Sequence, residues 1–159
     1  MDKSPFQTPR LLLEQSGKGT LRQFELFPGI ELSQTRLVSE HITLEHEAYS
    51  DILEINYCRE GRIGWNMTGG MSVYLGPRDL DVHTMDRCAV SSIRLPLGYY
   101  EGITITLDLE RLEREALPVI QESGIRLRTL PEKLCPGGRP LALSSSPEIG
   151  HIFDPLYGV

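Results

Sequence analysis

The strongest constraint on the fold is an alternation of apolar and polar residues that repeats between positions 52 and 107. A period of two is typical of β-strands, because successive side chains point to opposite faces of a sheet. The glycine pair at 69–70 is a two-residue hairpin signal, and Gly76–Asp79 is a β-turn with proline at its favoured second position. Repeated short strands with tight turns predict a small β-barrel or β-sandwich.

The alternation separates the side chains of this region into two faces. One face is expected to line a common interior, and it carries apolar residues that include Leu53, Ile55, Tyr57, Ile63, Trp65, Met67, Met71, Val73, Leu75, Leu80, Val82, Ile93, Leu95, Ile103, Ile105 and Leu107. The opposite face carries Glu54, Asn56, Asp81, His83, Arg94, Thr104 and Thr106. Because these side chains are polar, we expect them at the surface of the barrel.

Weaker patterns flank this region. Residues 1–19 indicate a loose leader, and candidate strands follow at 20–27, 30–38 and 41–48. After Leu107 the apolar spacing becomes helical, with Asp108 as the cap. Pro118 either breaks this helix or begins a second one that ends near Gly124, and Ser146 precedes another helix start. These patterns divide one domain into a leader at 1–19, a barrel at 20–107 and a helical segment at 108–159.

Composition narrows the class of protein. The length of 159 residues suits one domain. The formal net charge of −6 disfavours direct contact with nucleic-acid phosphates. The three cysteines, Cys58, Cys88 and Cys135, form no CxxC pair, which predicts a cytoplasmic location. The apolar run at 11–13 is too short for a signal peptide or a membrane span, so no membrane partner is expected.

Three segments resemble a known family. Residues 53–62, Leu-Glu-Ile-Asn-Tyr-Cys-Arg-Glu-Gly-Arg, resemble the strand-turn-strand opening of the cupin-like sensor domain of AraC-type transcriptional regulators. Residues 75–80 resemble the Gly-Pro-Gly-Asp turn of that family, with Arg78 replacing the second glycine, a change that favours a type I over a type II turn. Residues 96–103 resemble a segment of one Gram-positive-like branch. The resemblance covers residues 20–159 in the overall order of their predicted elements. Its motifs are specific only between residues 53 and 107.

The resemblance implies a mainly β fold, a cupin-like β-barrel or jelly roll followed by a few short α-helices. It implies a non-enzymatic domain without a cofactor, which binds an unidentified small-molecule effector and controls an attached helix-turn-helix half. Such regulators commonly act as homodimers. No basic recognition helix occurs before Val159, so we expect this chain to reach DNA only through a missing C-terminal half. The alternatives are a stand-alone, metal-dependent cupin enzyme and a packed protein-interaction domain.

The histidines give a weak indication of a metal site. His41 and His46 lie among glutamates, and His83 is a third candidate ligand, but the His-x-His pair of cupin enzymes is absent. We therefore expect no bound metal. Asp81, His83 and Ser91 or Ser92 could form a hydrolytic triad, but no nucleophile elbow accompanies them, and surface residues are the better interpretation.

Candidate ligand-binding residues come from the strands and from one loop. Tyr57, Trp65, Met67 and Met71 either pack in the core or line a pocket in the barrel. Arg94 faces the other way by strict alternation, and a β-bulge would turn it toward an anionic ligand. Tyr99 and Tyr100 follow a turn, where they either close over a ligand, contact a partner domain or pack against the helix at 109–117.

Overall fold

The computed structural model describes residues 9–10, 13–14, 18–45, 48–49, 51–87 and 90–158. Within these ranges the strands are β1 (Gly19–Phe27), β2 (Ile30–Leu37), β3 (His41–Glu45), β4 (Ile52–Gly61), β5 (Ile63–Asn66), β6 (Ser72–Leu75), β7 (Leu80–Thr84), β8 (Val90–Arg94), β9 (Tyr100–Asp108) and β10 (Leu141–Leu143). The α-helices are α1 (Leu109–Glu115), α2 (Pro118–Ser123), α3 (Leu130–Leu134) and α4 (Pro147–Phe153). Short 3-10 helices occur at Thr68–Gly70, Leu127–Thr129, Pro136–Gly138 and Asp154–Gly158.

The strands form two antiparallel sheets. The large sheet has the order β1-β2-β9-β4-β7-β10, and the small sheet has the order β3-β8-β5-β6. The chain changes sheet at every step from β2 to β5. It changes sheet again at every step from β6 to β9. This arrangement of β2 to β9 in two four-stranded halves is that of a jelly roll. The predicted fold class, mainly β with a few short helices after the barrel, is confirmed.

The main core lies between the two sheets. Trp65 and Ile93 of the small sheet pack in one buried cluster with Leu37, Ile52 and Cys58 of the large sheet. Both sheets therefore bury one face against the other, as the strand alternation requires.

The large sheet buries its second face as well. Tyr57 stacks on Phe153 of α4, with ring centroids 4.8 Å apart. Leu53 of the same strand joins a second cluster with Leu109 of α1 and with Cys135. The segment after β9 thus covers the outer face of the large sheet with apolar side chains.

The assignment of faces from the sequence is therefore wrong for the large sheet. Leu53, Ile55 and Tyr57 point away from the barrel, toward the helical cover. The polar residues of the opposite face are buried inside, and these are Glu54, Asn56, Asp81, His83, Thr104 and Thr106. The physical reason is that alternation identifies two faces but not their surroundings, and here the outer face is also covered.

The predicted helix boundaries are confirmed. The Asp108 side chain accepts a hydrogen bond from the Arg111 backbone N–H, and Ser146 accepts one from Ile149. Helix α1 begins at Leu109 and is capped at its C-terminus by Ala116, and α2 begins at Pro118 and is capped by Gly124; both capping residues are in the left-handed conformation. No helix in the described ranges has the length and apolarity needed to cross a bilayer.

Two local features differ from expectation. Strand β10 was not predicted; it pairs with β7 at the edge of the large sheet. The turn at Gly76–Asp79 is type II rather than type I, because Arg78 has a φ of 70° at the third position while the Asp79 N–H bonds to the Gly76 carbonyl. The Arg78 N–H also donates to the Cys58 carbonyl, and this bond to β4 holds the residue in its left-handed conformation.

Because L-residues are disfavoured at positive φ, glycine at position 78 is expected to stabilise the protein. We predict that Arg78→Gly is more stable to unfolding than Arg78→Ala by about 1 kcal/mol. Both variants remove the same guanidinium, so the comparison isolates the backbone. Urea denaturation measures the difference, and equal stabilities would contradict the strain at this turn.

Candidate functional site

Polar side chains form two adjacent rows on the inner face of the large sheet. Residues directly opposite one another on neighbouring strands place their Cβ atoms about 5 Å apart. The Asp81 row consists of Ser33, Thr104, Asn56 and Asp81, and the His83 row consists of Glu31, Thr106, Glu54 and His83. Both rows cross β2, β9, β4 and β7. All of these residues except Glu31 are buried.

A chain of hydrogen bonds runs along the Asp81 row. The Thr104 hydroxyl donates to Asn56 Oδ1 at 2.8 Å, and Asn56 Nδ2 donates to Asp81 Oδ1 at 2.9 Å. The second carboxylate oxygen, Asp81 Oδ2, lies 2.8 Å from His83 Nδ1. Because a carboxylate only accepts hydrogen bonds, this contact places a proton on Nδ1 of the imidazole.

The imidazole of His83 lies between two carboxyl groups and is itself 0% exposed. Its Nε2 atom is 3.8 Å from Glu54 Oε2, on the side opposite Asp81. Its ring centroid is 6.1 Å from that of Trp65 in the small sheet. This arrangement can hold or transfer a proton at Nε2, beside the single tryptophan of the chain.

A buried hydroxyl group extends the polar interior. Thr35 follows Ser33 on the inner face of β2, and its Oγ1 atom has no hydrogen-bond partner among the described residues. An unsatisfied buried hydroxyl is costly unless a water or a ligand supplies the missing bond. Thr35 is therefore a candidate contact for a polar molecule in the barrel.

The His83 row approaches solvent at Glu31. Burial, together with the charge of Glu25 on the paired strand, raises the pKa of Glu31 to about 7, although a 2.9 Å hydrogen bond from Gln23 Nε2 opposes the shift. This carboxyl group consequently changes its charge near neutral pH.

Only some of the pocket candidates from the sequence lie together. Trp65 and Met67 are buried between the sheets, and Met71 packs against the same cluster. Tyr57 lies on the other side of the large sheet, where its hydroxyl donates to Asp154 at 3.0 Å. Arg94 is exposed on the outer face of the small sheet, because β3 and β8 pair in regular register without a bulge beside it.

The two tyrosines of the rim also separate. Tyr100 begins β9 and is buried in the core between the sheets. Tyr99 remains outside, where its hydroxyl hydrogen-bonds to Glu101 at 2.9 Å and Glu60 at 3.2 Å and the Arg36 guanidinium lies 5.2 Å from its ring centroid. Neither tyrosine is found in the cluster of apolar residues around α1, so packing against that helix is not observed.

The histidine candidates are also far from forming one site. His41 is exposed, with Nε2 2.8 Å from the Ser92 hydroxyl, whereas His83 is inside the barrel. His46 lies outside the described residues. Over the described part of the chain, no group of three or more His, Cys, Asp or Glu residues has an arrangement that could hold a metal ion. The ligand set of a metal-dependent cupin enzyme therefore does not fit the residues that the structure describes.

Asp81 and His83, which the strand alternation placed at the surface, are buried. Glu54, Asn56 and Thr104, which were not among the candidate site residues, are buried beside them. The signal was present, since polar residues alternate with apolar ones on β4, β7 and β9 alike. The Asp81–His83 contact of the considered triad does exist, but Ser92 bonds to His41 instead.

The buried thiols do not contribute a nucleophile. Burial raises the pKa of Cys58 to about 12, and its Sγ atom donates to the Gly61 carbonyl at 3.5 Å. Burial also raises the pKa of Cys135, whose Sγ contacts the Val82 carbonyl at 3.4 Å. Because the thiolate is the reactive form, both thiols are expected to be poor nucleophiles in the folded protein. Cys88 lies outside the described residues.

Comparisons with known proteins find no matching family model and no matching curated sequence. Solved structures with similar architecture include a cupin superfamily protein from Desulfitobacterium hafniense, with 13% identity over 67% of this chain and 93% of that chain and a TM-score of 0.46. A Klebsiella pneumoniae protein with a double-stranded β-helix domain has 7% identity over 58% of this chain and 78% of that chain, with a TM-score of 0.47. An HTH_3 family transcriptional regulator from Vibrio cholerae has 14% identity over 64% of this chain and 60% of that chain, with a TM-score of 0.46. The fold assignment rests on the strand order itself.

Removal of the buried imidazole should destabilise the protein strongly. We predict that His83→Ala lowers the free energy of unfolding by about 3 kcal/mol, because it leaves Asp81 and Glu54 as buried carboxyl groups without the ring between them. His41→Ala, which removes an exposed imidazole, should cost at most about 1 kcal/mol. Chemical denaturation of both variants measures the contrast, and similar costs would contradict the burial of the His83 row.

Glu31 should make stability depend on pH. Its pKa is raised in the folded state, so the folded protein binds more protons between the unfolded value of 4.5 and about 7. Stability from this group is therefore present below pH 4.5 and is lost as pH rises toward 7. Because the side chain is partly exposed, the effect is expected to be about 1 kcal/mol.

Denaturation at pH 5.0 and pH 7.5 tests this dependence. The Glu31→Gln variant should lose the corresponding part of the pH dependence, whereas Glu45→Gln, at an exposed position of β3, should retain it. If the free energy of unfolding changes with pH in Glu31→Gln as it does in the wild-type protein, Glu31 does not contribute to the pH dependence.

Proposed function

We propose that this chain is the effector-sensing domain of an AraC-type transcriptional regulator, and that a small polar molecule binds inside its barrel. The proposal rests on one observation, the buried Asp81–His83 pair with Glu54 on the other side of the ring. The family assignment is supported by the sequence resemblance at residues 53–62, 75–80 and 96–103. The binding site is supported by the chemistry of the two polar rows.

Burial of three ionisable groups is difficult to explain by stability alone. Removing charges from water costs several kcal/mol per ion, and apolar residues at such positions are often equally stable or more stable. An interior that retains Glu54, Asp81 and His83 is therefore better suited to recognising a polar molecule than to packing. Trp65 beside the imidazole supplies an apolar wall for such a ligand.

The charge of the interior favours some ligands over others. Two carboxyl groups and one imidazole carry no excess of positive charge even when the ring is protonated. An anionic organic acid would therefore be repelled, whereas a neutral hydroxyl-rich molecule or a cation would be favoured. We propose an effector of the neutral polyol or cationic class.

Signalling would proceed by a shift in population. An effector that binds one conformation of the barrel more tightly, by about 1 to 3 kcal/mol, changes how the helical cover and any attached domain are held. Tyr57 provides a direct connection, because its strand carries Glu54 and Asn56 on the inner face while its ring stacks on Phe153 of the cover.

The remaining features of the parent protein are also proposals. We propose a homodimeric cytoplasmic regulator that contacts DNA through a C-terminal helix-turn-helix half and uses no cofactor. Reading the coding sequence beyond codon 159 tests this, with two helix-turn-helix motifs expected. A stop codon there would favour a stand-alone binding protein or a cupin enzyme.

An enzyme is the second candidate, favoured by the orientation of His83. An imidazole with one carboxyl group at Nδ1 and a second one facing Nε2 can act as a general acid or base. Consumption of a bound compound, rather than its reversible binding, would favour this function over sensing.

Ligand binding should be visible through Trp65. Neutral sugars and polyols, cationic amines and organic acids are titrated against the wild-type protein while tryptophan emission is recorded. We predict that at least one neutral or cationic compound changes the emission and raises Tm, and that organic acids do not. Glu54→Gln should weaken the binding about tenfold, through loss of a charged hydrogen bond.

Glu45→Gln is the matched control, since it changes an exposed carboxyl group on β3. Circular dichroism of both variants confirms that each remains folded. The proposal fails if no compound in the first two classes binds, or if Glu54→Gln and Glu45→Gln have the same effect.

A further inference from the structure

The outer face of the large sheet carries a second polar site, separate from the barrel interior. A groove of about 300 Å³ lies on this face, lined by residues of β1, β2, β4 and β9 and by Tyr157 of the 3-10 helix Asp154–Gly158. Three arginines line this groove, Arg22 on β1, Arg36 on β2 and Arg59 on β4. A groove of this size suits a small ligand.

The strand pairing explains why the arginines converge. Arg22 is paired with Gln34, and Arg36 is paired with Glu101, so these side chains share the outer face. A β-bulge between Cys58 and Glu60 interrupts the pairing of β4 with β9 at Arg59. Bulges redirect side chains, and here Arg59 reaches Glu101 at 3.8 Å.

The charges of the groove are not balanced. Glu101 is the only carboxylate among its described lining residues, against three guanidinium groups. The Glu101 carboxylate is already shared, since it accepts a hydrogen bond from Tyr99 at 2.9 Å. Such a concentration of positive charge stands out in a chain whose formal net charge is −6. An anion in the groove would reduce the repulsion between the guanidinium groups.

Tyr157 supplies an independent indication of a ligand. Its ring lies under the Arg59 guanidinium at 4.1 Å, and its hydroxyl is buried without a hydrogen-bond partner among the described residues. Burial raises the pKa of this hydroxyl, so it remains a donor. A nearby anion could accept the bond that the protein does not satisfy.

We propose that this groove binds a small oxyanion, a carboxylate or phosphate group, between Arg36, Arg59 and Tyr157. Because the 3-10 helix Asp154–Gly158 contributes Tyr157, the bound anion links the end of the helical cover to the sheet. The site is independent of the barrel ligand, and its preference for anions is opposite to that of the acidic interior.

Calorimetric titration tests the proposal with two probes, inorganic phosphate and succinate, at an ionic strength held constant with sodium chloride. We expect the wild-type protein to bind at least one probe with millimolar or tighter affinity. The probe that binds distinguishes phosphate from carboxylate recognition. Absence of binding for both probes at 10 mM, on the order of a weak small-molecule Kd, would overturn the proposal.

Matched arginine variants locate the binding. The double variant Arg36→Gln and Arg59→Gln should weaken it at least about tenfold, through loss of two charge-assisted contacts. The control double variant, Arg94→Gln and Arg114→Gln, removes the same charge from positions outside the groove and should retain the affinity to within about twofold. Equal losses in the two double variants would indicate non-specific attraction and overturn the proposal.

Two further variants separate this site from the barrel. Tyr157→Phe should weaken anion binding several-fold, whereas Glu54→Gln should leave it unchanged. Loss of anion binding in Glu54→Gln, with the tyrosine variant unaffected, would overturn the placement in the groove. Tm values of all variants verify folding, and the barrel titration with Trp65 remains an independent measurement.

Discussion

The large sheet has to bury both of its faces, and the rest of the structure depends on how it does so. One face packs against the small sheet and the other against the helical cover. The apolar side chains of its central strand β4, such as Leu53 and Tyr57, are directed to the cover. The barrel side of β4 therefore contains Glu54 and Asn56, and the protein acquires a polar interior supported by an apolar exterior layer.

This division gives the polar rows a rigid frame. The Asn56–Asp81–His83 hydrogen bonds join side chains on β4 and β7, and these two strands pair in regular register. A shift of one residue in this register would turn Tyr57 toward the polar interior and Asn56 toward the apolar cover. Such a shift is therefore unfavourable on both faces of the sheet. The polar groups are thus held in fixed positions by packing on the opposite side of the sheet, an arrangement that suits specific recognition.

The sequence could predict most of the strands and helix ends, because these depend on local patterns. Alternation located β4 to β9, and Asp108 and Ser146 marked true helix starts. It could not predict which face of β4 is inside, because that depends on where a distant segment such as Phe153 packs. Strand β10 was missed for a related reason, since three residues after a proline- and glycine-rich loop form a strand only by pairing with β7.

The two cysteines of the described chain lie in different layers of this structure. Cys58 is buried between the sheets, and Cys135 is buried between the large sheet and its cover. Alkylating reagents can reach Cys135 when the cover detaches, but they reach Cys58 only when the barrel itself opens. The alkylation rate of each thiol therefore reports the opening of its own layer. Equal rates for Cys58 and Cys135 would show that the cover and the barrel unfold together, and a faster rate for Cys135 would show that the cover detaches first.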